Sequence, residues 1–159
     1  MSAEPTLTKR YLSWEEIQRL VDQLIREHLT EAYDAMLVIT RGGMVPGCLI
    51  SEKIDLRNIL VAAMVYYTGI DRTLDKPIFL QFPSDTLLDG KRLLIVDDVW
   101  DSGRTIMAVK ERLNMVNCYY NIAVLHYKPG RSKYQDERPD FYAEITEDWL
   151  VYPWDRERF

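Results

Sequence analysis

The sequence contains little of what metal, redox and disulfide-linked proteins need. It has two cysteines, Cys48 and Cys118, and two histidines, His28 and His126. The cysteines lie in apolar surroundings without CxxC spacing, so we expect packed thiols and no disulfide or metal site. Each histidine ends a periodic apolar segment, which favours a packed or capping role. These shortages argue against zinc and redox chemistry.

Long apolar runs and excess positive charge are also missing. No window approaches the ~18 consecutive apolar residues of a transmembrane helix. The first nine residues lack the apolar core of a signal peptide, so we expect a cytoplasmic protein with no membrane partner. The net charge of −5 opposes a nucleic-acid partner, because affinity for a phosphate backbone comes largely from Lys and Arg. The 159 residues, 47% of them apolar, suffice for one domain and one core.

Apolar runs and helical periodicity alternate along the chain. A capping box at Ser13 begins an amphipathic helix that extends to about Leu29, and Pro46 at position N1 begins a second. Continuous apolar runs predict buried strands at 36–40, 60–66, 92–96 and 121–127, and a further helix ends near Met115. This order predicts an α/β domain with a mainly parallel central sheet flanked by helices, whose ligands bind beyond the carboxyl ends of the strands.

Three segments lack a strong pattern. Residues 1–9 are expected to be a loose tail. Residues 68–90 are polar and turn-rich with one weak strand at 79–82, a length typical of a mobile lid. Residues 131–159 are polar, aromatic and irregular.

The clearest chemical signal follows the strand at 92–96. The sequence from Asp101 to Thr105 offers successive backbone N–H groups, hydroxyls and an arginine at a helix start, which suits a phosphate. It lacks the GxxxxGK[ST] pattern of a Walker A loop. Asp97 and Asp98 alone would more often form a solvated acidic turn. Beside a phosphate cradle they favour ribose hydroxyls and Mg²⁺.

Residues 93–105, LLIVDDVWDSGRT, resemble the phosphoribosyl pyrophosphate (PRPP) motif of type I phosphoribosyltransferases. The resemblance implies that Asp97 and Asp98 hold the ribose hydroxyls and the Mg²⁺ environment, with Asp98 a metal ligand. Asp101 would lie near N7 of a purine as the general base. The residues implied around the 5-phosphate are Asp101, Ser102, Gly103, Arg104 and Thr105.

A second segment, residues 40–47, resembles the pyrophosphate loop of xanthine-guanine phosphoribosyltransferases. The resemblance implies that Arg41 and the Gly42 amide bind pyrophosphate. The Arg–Gly peptide is often cis in that group, which predicts a cis bond between these two residues.

The last third resembles the base-binding hood of the 6-oxopurine branch of the family, and we expect a small hood at about 131–159. Lys128 would donate to the purine O6, and Trp149 would stack on the base, although a tryptophan in an α/β domain is more often a core residue. The Leu150 carbonyl would meet the position-2 group. Asp155 would lie near pyrophosphate and a second Mg²⁺.

The resemblance extends from Tyr11 to Asp155 with some departures. Residues 66–72 stand where the family has its catalytic loop but lack the expected Ser-Tyr pair. Arg72 is a candidate PRPP ligand whose register is open, and Arg156 and Arg158 receive no role. The family is usually dimeric or tetrameric, so a homodimer or homotetramer is expected.

Together these features predict a Mg²⁺-dependent purine salvage enzyme. It would join guanine, xanthine or hypoxanthine to PRPP, giving the nucleoside 5′-monophosphate and pyrophosphate. The alternative is a non-catalytic regulator that senses PRPP or a nucleotide on the same fold. The net acidity and the complete base pocket argue against that alternative.

Overall fold

The computed structural model describes residues 8–66 and 77–155, together with the backbone of two short strands at 68–69 and 72–73. In chain order the elements are β1 Lys9–Tyr11, α1 Trp14–His28, β2 Ala35–Ile39, α2 Met44–Ile54, β3 Ile59–Val65, β4 Thr68–Gly69, β5 Arg72–Thr73, β6 Ile78–Gln81, α3 Asp85–Leu88, β7 Arg92–Trp100, α4 Arg104–Leu113, β8 Tyr119–Tyr127, β9 Phe141–Ile145 and β10 Trp149–Val151.

The central sheet has six strands in the order β6-β3-β2-β7-β8-β9. All neighbouring pairs are parallel except β3 and β6, which are antiparallel. Helices α1 and α2 pack on the face that contains Met36 and Leu94, and α4 packs on the face that contains Leu37 and Ile95. The predicted α/β fold with a mainly parallel sheet is therefore confirmed.

The two central strands, β2 and β7, end at the edge of the sheet where ligands bind in folds of this kind. From β2 the chain crosses to β3 on one side, whereas β7 lies on the other side of β2. The strand order therefore reverses between β2 and β7. In open α/β sheets this reversal opens a crevice at the carboxyl ends of the strands. The two segments singled out in the sequence, 40–47 and 97–105, both follow these strands.

Helix α1 begins as its sequence predicts, with a complete capping box between Ser13 and Glu16. Helix α2 begins at Met44 with Gly43 as its N-cap, so Pro46 is its third residue and not N1. The first turn of a helix leaves its N–H groups without intrahelical partners, and a proline there costs no hydrogen bond.

Within the predicted mobile loop at 68–90, the weak strand predicted at 79–82 is confirmed as β6, but the rest of the second half is more ordered than predicted. Strand β6 extends the sheet by pairing with β3, and the short helix α3 inserts Leu88 into the core with no exposed surface. Of the first half, the structure describes only the backbone of β4 and β5, which pair antiparallel. The remaining residues between 67 and 76 lie outside the described part of the chain.

The two ends of the described chain form one substructure. Strand β1 pairs in parallel with β10, so Lys9 belongs to a strand and not to a loose tail. Strand β9 pairs with β8 at the edge of the main sheet, so the segment after Gly130 is less irregular than predicted. We call β1, β10 and residues 152–155 the hood.

Two smaller expectations can be compared with the structure. Cys48 is exposed, contrary to the prediction of a packed thiol, whereas Cys118 is partly buried. Within the described ranges, no helix combines the length and the apolar character that crossing a bilayer requires.

Candidate functional site

The loop after β2 lies directly against the acidic end of β7. A Cβ atom added to Gly42 would lie 2.4 Å from Asp98 Oδ1, so only glycine allows this approach. Arg41 next to it is exposed. The structure has a cis peptide bond at Thr40–Arg41, one residue before the Arg41–Gly42 bond for which it was predicted. The loop and Asp98 therefore form one continuous surface.

Asp97 and Asp98 are the sixth and seventh residues of β7 rather than a turn after it. Asp97 Oδ1 accepts a hydrogen bond from the Asp98 N–H at 2.9 Å, and Asp98 Oδ1 accepts one from the Val99 N–H at 2.8 Å. Because successive side chains in a strand point to opposite faces, the two carboxylates project from the two sides of the sheet end.

Burial raises the pKa values of both carboxyl groups. The pKa of Asp97 lies well above its ordinary value because the group is buried and because the charge of Asp98 is close. Burial also raises the pKa of Asp98, and the negative charge of Asp155 adds to that rise. Hydroxyl donors or a cation would stabilise the ionised forms of these two carboxyl groups.

The segment predicted to cradle a phosphate, 101–105, contains the start of α4. Gly103 is the N-cap of α4 with a φ of 84°, and a Cβ there would lie 2.5 Å from the Trp100 indole nitrogen. Ser102 Oγ accepts from the Arg104 N–H at 3.3 Å. The next N–H groups of the helix, those of Thr105 and Ile106, have no intrahelical partner and point out of the helix start.

A turn after β8 forms hydrogen bonds with this cradle and with Trp100. The Lys133 N–H donates to the Ser102 carbonyl at 2.9 Å, and the Trp100 indole donates to Ser132 Oγ at 3.0 Å. Arg104 lies over the Tyr66 ring, 5.3 Å from its centroid. The side chain of Arg72 lies outside the described residues, as do Arg156 and Arg158.

Asp101 and Lys128 meet beside the cradle. Lys128 is only 6% exposed, and its Nζ lies 3.8 Å from Asp101 Oδ2. The other carboxylate oxygen, Oδ1, accepts from Arg131 Nε at 2.7 Å. A buried ammonium and a partly exposed carboxylate therefore lie side by side.

The hood carries the remaining candidates. Trp149 is 56% exposed, so its ring is available as a stacking surface and is not a core residue. Leu150 packs its side chain into the core, which leaves only its backbone for a ligand. Asp155 is exposed and accepts a hydrogen bond through Oδ2 from the Tyr152 N–H at 2.9 Å.

The donor set fits a hard divalent cation shared with a ligand. The carboxylates of Asp98 and Asp155 are the oxygen ligands that Mg²⁺ prefers, and the two are close enough that the charge of Asp155 raises the pKa of Asp98. The described residues contain no group of three or more His, Cys, Asp or Glu side chains that could hold a metal. A magnesium ion here would take further ligands from substrate oxygens and water, as is usual for that metal.

Sequence reasoning missed two residues of the site. Arg131 pairs with Asp101 across 30 positions, and nothing in the sequence signals that contact. Tyr152 joins Asp155 to the Asp98 carbonyl, to which its hydroxyl donates at 3.3 Å. Its place two residues after the buried Leu150 was the one available signal, because alternation puts both on one face.

Comparison with known proteins agrees with this geometry. Residues 7–157 match the model of the phosphoribosyl transferase domain family. The chain is similar to xanthine-guanine phosphoribosyltransferases of Idiomarina loihiensis, 29% identical over 91% of this chain and 86% of that protein, and of Roseobacter denitrificans, 30% identical over 91% and 84%. A crystal structure of a purine phosphoribosyltransferase from Pyrococcus horikoshii superimposes with a TM-score of 0.82 at 31% identity, covering 95% of this chain and 97% of that one.

Proposed function

The chain belongs to the phosphoribosyl transferase domain family, and we propose that it is a purine salvage enzyme that joins a 6-oxopurine to PRPP. The products are the nucleoside 5′-monophosphate and pyrophosphate. Guanine, xanthine and hypoxanthine all present the 6-oxo group. The relatives named as xanthine-guanine phosphoribosyltransferases support this substrate class.

The observation that carries the proposal is the contact between Asp101 and Lys128. A free 6-oxopurine that carries its imidazole proton on N7 presents an N7–H donor and the O6 acceptor side by side on one edge. Lys128, with three donors and no acceptor, matches O6, whereas the 6-amino group of adenine is itself a donor. Asp101, 3.8 Å from the ammonium, accepts from N7–H in this proposal. The two side chains together read the edge that separates 6-oxopurines from adenine.

The other half of the site suits PRPP. The helix start at 103–106 binds the 5-phosphate through backbone N–H groups, and Asp97 and Asp98 accept hydrogen bonds from the ribose hydroxyls. Arg41 and the Gly42 amide, held against Asp98, bind pyrophosphate. These three contacts span the crevice between β2 and β7, which fixes the orientation of PRPP across the site.

Mg²⁺ belongs to the proposal as a cofactor held by Asp98 and Asp155. When bound, it neutralises charge that develops on the leaving pyrophosphate. Arg41 and the Gly42 N–H add preorganised positive charge at the same place.

In the proposed reaction the bond from the anomeric carbon to the pyrophosphate oxygen breaks and the bond to purine N9 forms. The leaving group takes the electron pair of the broken bond. The purine loses a proton at N7, and Asp101 accepts it. Trp149 and Lys128 hold the base in line with the anomeric carbon, which is the positioning part of catalysis.

The proposal also includes a cytoplasmic location and a homodimer or homotetramer. Light scattering coupled to size-exclusion chromatography measures the oligomer directly. A mass of 18.7 kDa, that of one chain, would contradict the expected assembly.

The experiment that tests the function measures nucleotide formation from guanine, PRPP and Mg²⁺, in parallel with a tryptophan fluorescence titration with PRPP. The enzyme is expected to form the 5′-monophosphate and to show a PRPP-dependent signal. The second candidate, a non-catalytic regulator, would bind PRPP without turnover. Binding without turnover therefore contradicts the proposed function.

A further inference from the structure

Tyr152 makes three polar contacts, two of which tie the hood to the sheet. It is 4% exposed. Its N–H donates to Asp155 Oδ2 at 2.9 Å, its hydroxyl donates to the Asp98 carbonyl at 3.3 Å, and the same hydroxyl lies 2.8 Å from His126 Nδ1. Tyr152 thus contacts both residues proposed to hold the cation, the Asp98 carbonyl on β7 through its hydroxyl and Asp155 in the hood through its backbone N–H.

His126 is the partner that fixes the direction of this hydroxyl. It is fully buried on β8. A phenol has one proton, so when it donates to the Asp98 carbonyl at 3.3 Å, the contact at 2.8 Å requires the tautomer in which Nδ1 of a neutral imidazole donates to the tyrosine oxygen. The other ring nitrogen, Nε2, has no hydrogen-bond partner in the described part of the chain and lies 3.8 Å from Glu144 Oε2. Because Nε2 makes no hydrogen bond to a described residue, the contact between Nδ1 and the Tyr152 hydroxyl is the polar interaction that His126 contributes.

Aromatic rings and an ion pair pack around Tyr152 and His126. Tyr152 stacks on Trp154 with centroids 4.6 Å apart and planes at 9°, and its ring contacts that of His126 at 5.6 Å. Glu144 behind the imidazole is paired with Arg10 of β1. The connection therefore extends from the end of β7 to the strand that holds β10 in place.

We propose that His126 and Tyr152 are positioning residues for the reaction, which set the distance between Asp98 and Asp155 and thereby the affinity for Mg²⁺-bound PRPP. The inference rests on the proposed function. Neither side chain touches substrate. Removing the hydroxyl should release the Asp98 backbone from the hood without changing the charge of the site.

Tyr152→Phe removes only the hydroxyl and keeps the ring stack. Tyr33→Phe is the matched control, because the Tyr33 hydroxyl also makes one side-chain hydrogen bond, to Asn121 Oδ1 at 2.9 Å, at the other end of the sheet. We expect both variants to lower Tm by a few degrees. Tyr152→Phe alone should raise the KM for PRPP by about 5- to 10-fold, the factor that one lost hydrogen bond supports, and shift the Mg²⁺ concentration needed for half-maximal rate upward.

A pair of His126 variants separates orientation from packing. His126→Asn keeps a donor near the Nδ1 position, and His126→Leu does not. We expect Asn to restore most of the PRPP affinity that Leu loses. Equal KM values for PRPP in Tyr152→Phe and Tyr33→Phe, with normal wild-type turnover, would overturn this inference alone. A wild-type protein that forms no nucleotide would overturn the proposed function together with it.

Discussion

Lys128 Nζ lies 3.8 Å from Asp101 Oδ2, while Arg131 Nε donates to Oδ1 of the same carboxylate at 2.7 Å. Asp101 therefore has two cationic neighbours in the free protein, and one of them, Lys128, is buried. A base that brings O6 to the ammonium and N7–H to the carboxylate offers each of the two side chains a hydrogen-bond partner. The pair therefore suits a base edge with one acceptor and one donor, as the proposed 6-oxopurine has.

Asp101→Asn tests the assignment of the general base. The amide oxygen can still accept from Arg131, and the cradle around Gly103 should stay intact. We expect kcat to fall by about 10²- to 10⁴-fold, the range for a lost proton transfer, with PRPP affinity within a few fold of wild type. Steady-state kinetics with guanine measures both quantities, and an Asn variant with full kcat would remove Asp101 from that role.

Asp98→Asn tests whether the buried carboxylate is kept for function at the expense of stability. Burial raises the pKa of Asp98, so the folded state disfavours the ionised form. The stability that this shift contributes is present at low pH and is lost as pH rises through the folded-state pKa. We expect Asp98→Asn to be more stable than wild type at pH 8, equally stable at pH 4, and much weaker for PRPP. Equal urea midpoints of the two proteins at pH 8 would contradict this account.

Gly103→Ala tests the shape of the phosphate cradle, with Gly90→Ala as a matched control. Both glycines have positive φ, 84° and 68°, but a Cβ at Gly103 meets the Trp100 indole, whereas one at Gly90 meets no atom of the described residues within 4 Å. A left-handed alanine costs about 1–2 kcal/mol, and overpacking adds about 1–3 kcal/mol. We expect Gly90→Ala to show only the first cost with normal kinetics, and Gly103→Ala to show both costs and a raised KM for PRPP. Normal PRPP binding by Gly103→Ala would mean that the cradle does not hold the 5-phosphate.

His126 predicts a defined acid destabilisation. Burial lowers the pKa of His126 to about 4, with Arg10 and Lys128 lowering it further and the nearby Glu144 opposing them. Because the unfolded chain takes up this proton near pH 6.5, stability from the neutral imidazole is lost as pH falls from about 6.5 toward 4, by about 3 kcal/mol at pH 4.

The raised pKa values of Asp97 and Asp98 act in the opposite direction and are present in wild type and variant alike. The quantity to measure is therefore the difference in unfolding free energy between wild type and His126→Asn. That difference should shrink by about 3 kcal/mol from pH 7 to pH 4. A difference that stays constant with pH would show that His126 already titrates normally in the fold.

The sequence predicted the centre of the fold better than its margins. The run at 92–96 is apolar at every position after Arg92 because the strand is covered on both faces, and that signal is hard to mistake. It did not predict that β7 continues to Trp100. The acidic side chains at 97 and 98 interrupt the apolar pattern, although the backbone still pairs with β8 through Asp97 and Val99.

Strands β1, β9 and β10 were missed for a different reason. They have three to five residues each, and β1 pairs with a partner about 140 positions away. Such strands exist because of tertiary pairing and carry almost no local pattern. The same limit applies to the site. The sequence and its family resemblance located Asp101 and Lys128, but the Arg131 contact and the bridge through Tyr152 depend on distances that only folding creates.

The central claim is that the site selects a 6-oxopurine through Lys128, and the most direct measurement compares kcat/KM for guanine and adenine at saturating PRPP, in wild type and in Lys128→Ala. A donor left unpaired against the adenine amine costs about 1–3 kcal/mol, or very roughly 5- to 150-fold. We predict that wild type prefers guanine by at least that factor, and that Lys128→Ala removes much of the preference by slowing guanine more than adenine, with PRPP affinity largely kept. Equal use of the two bases by wild type, or an equal loss for both in Lys128→Ala, would contradict the assignment.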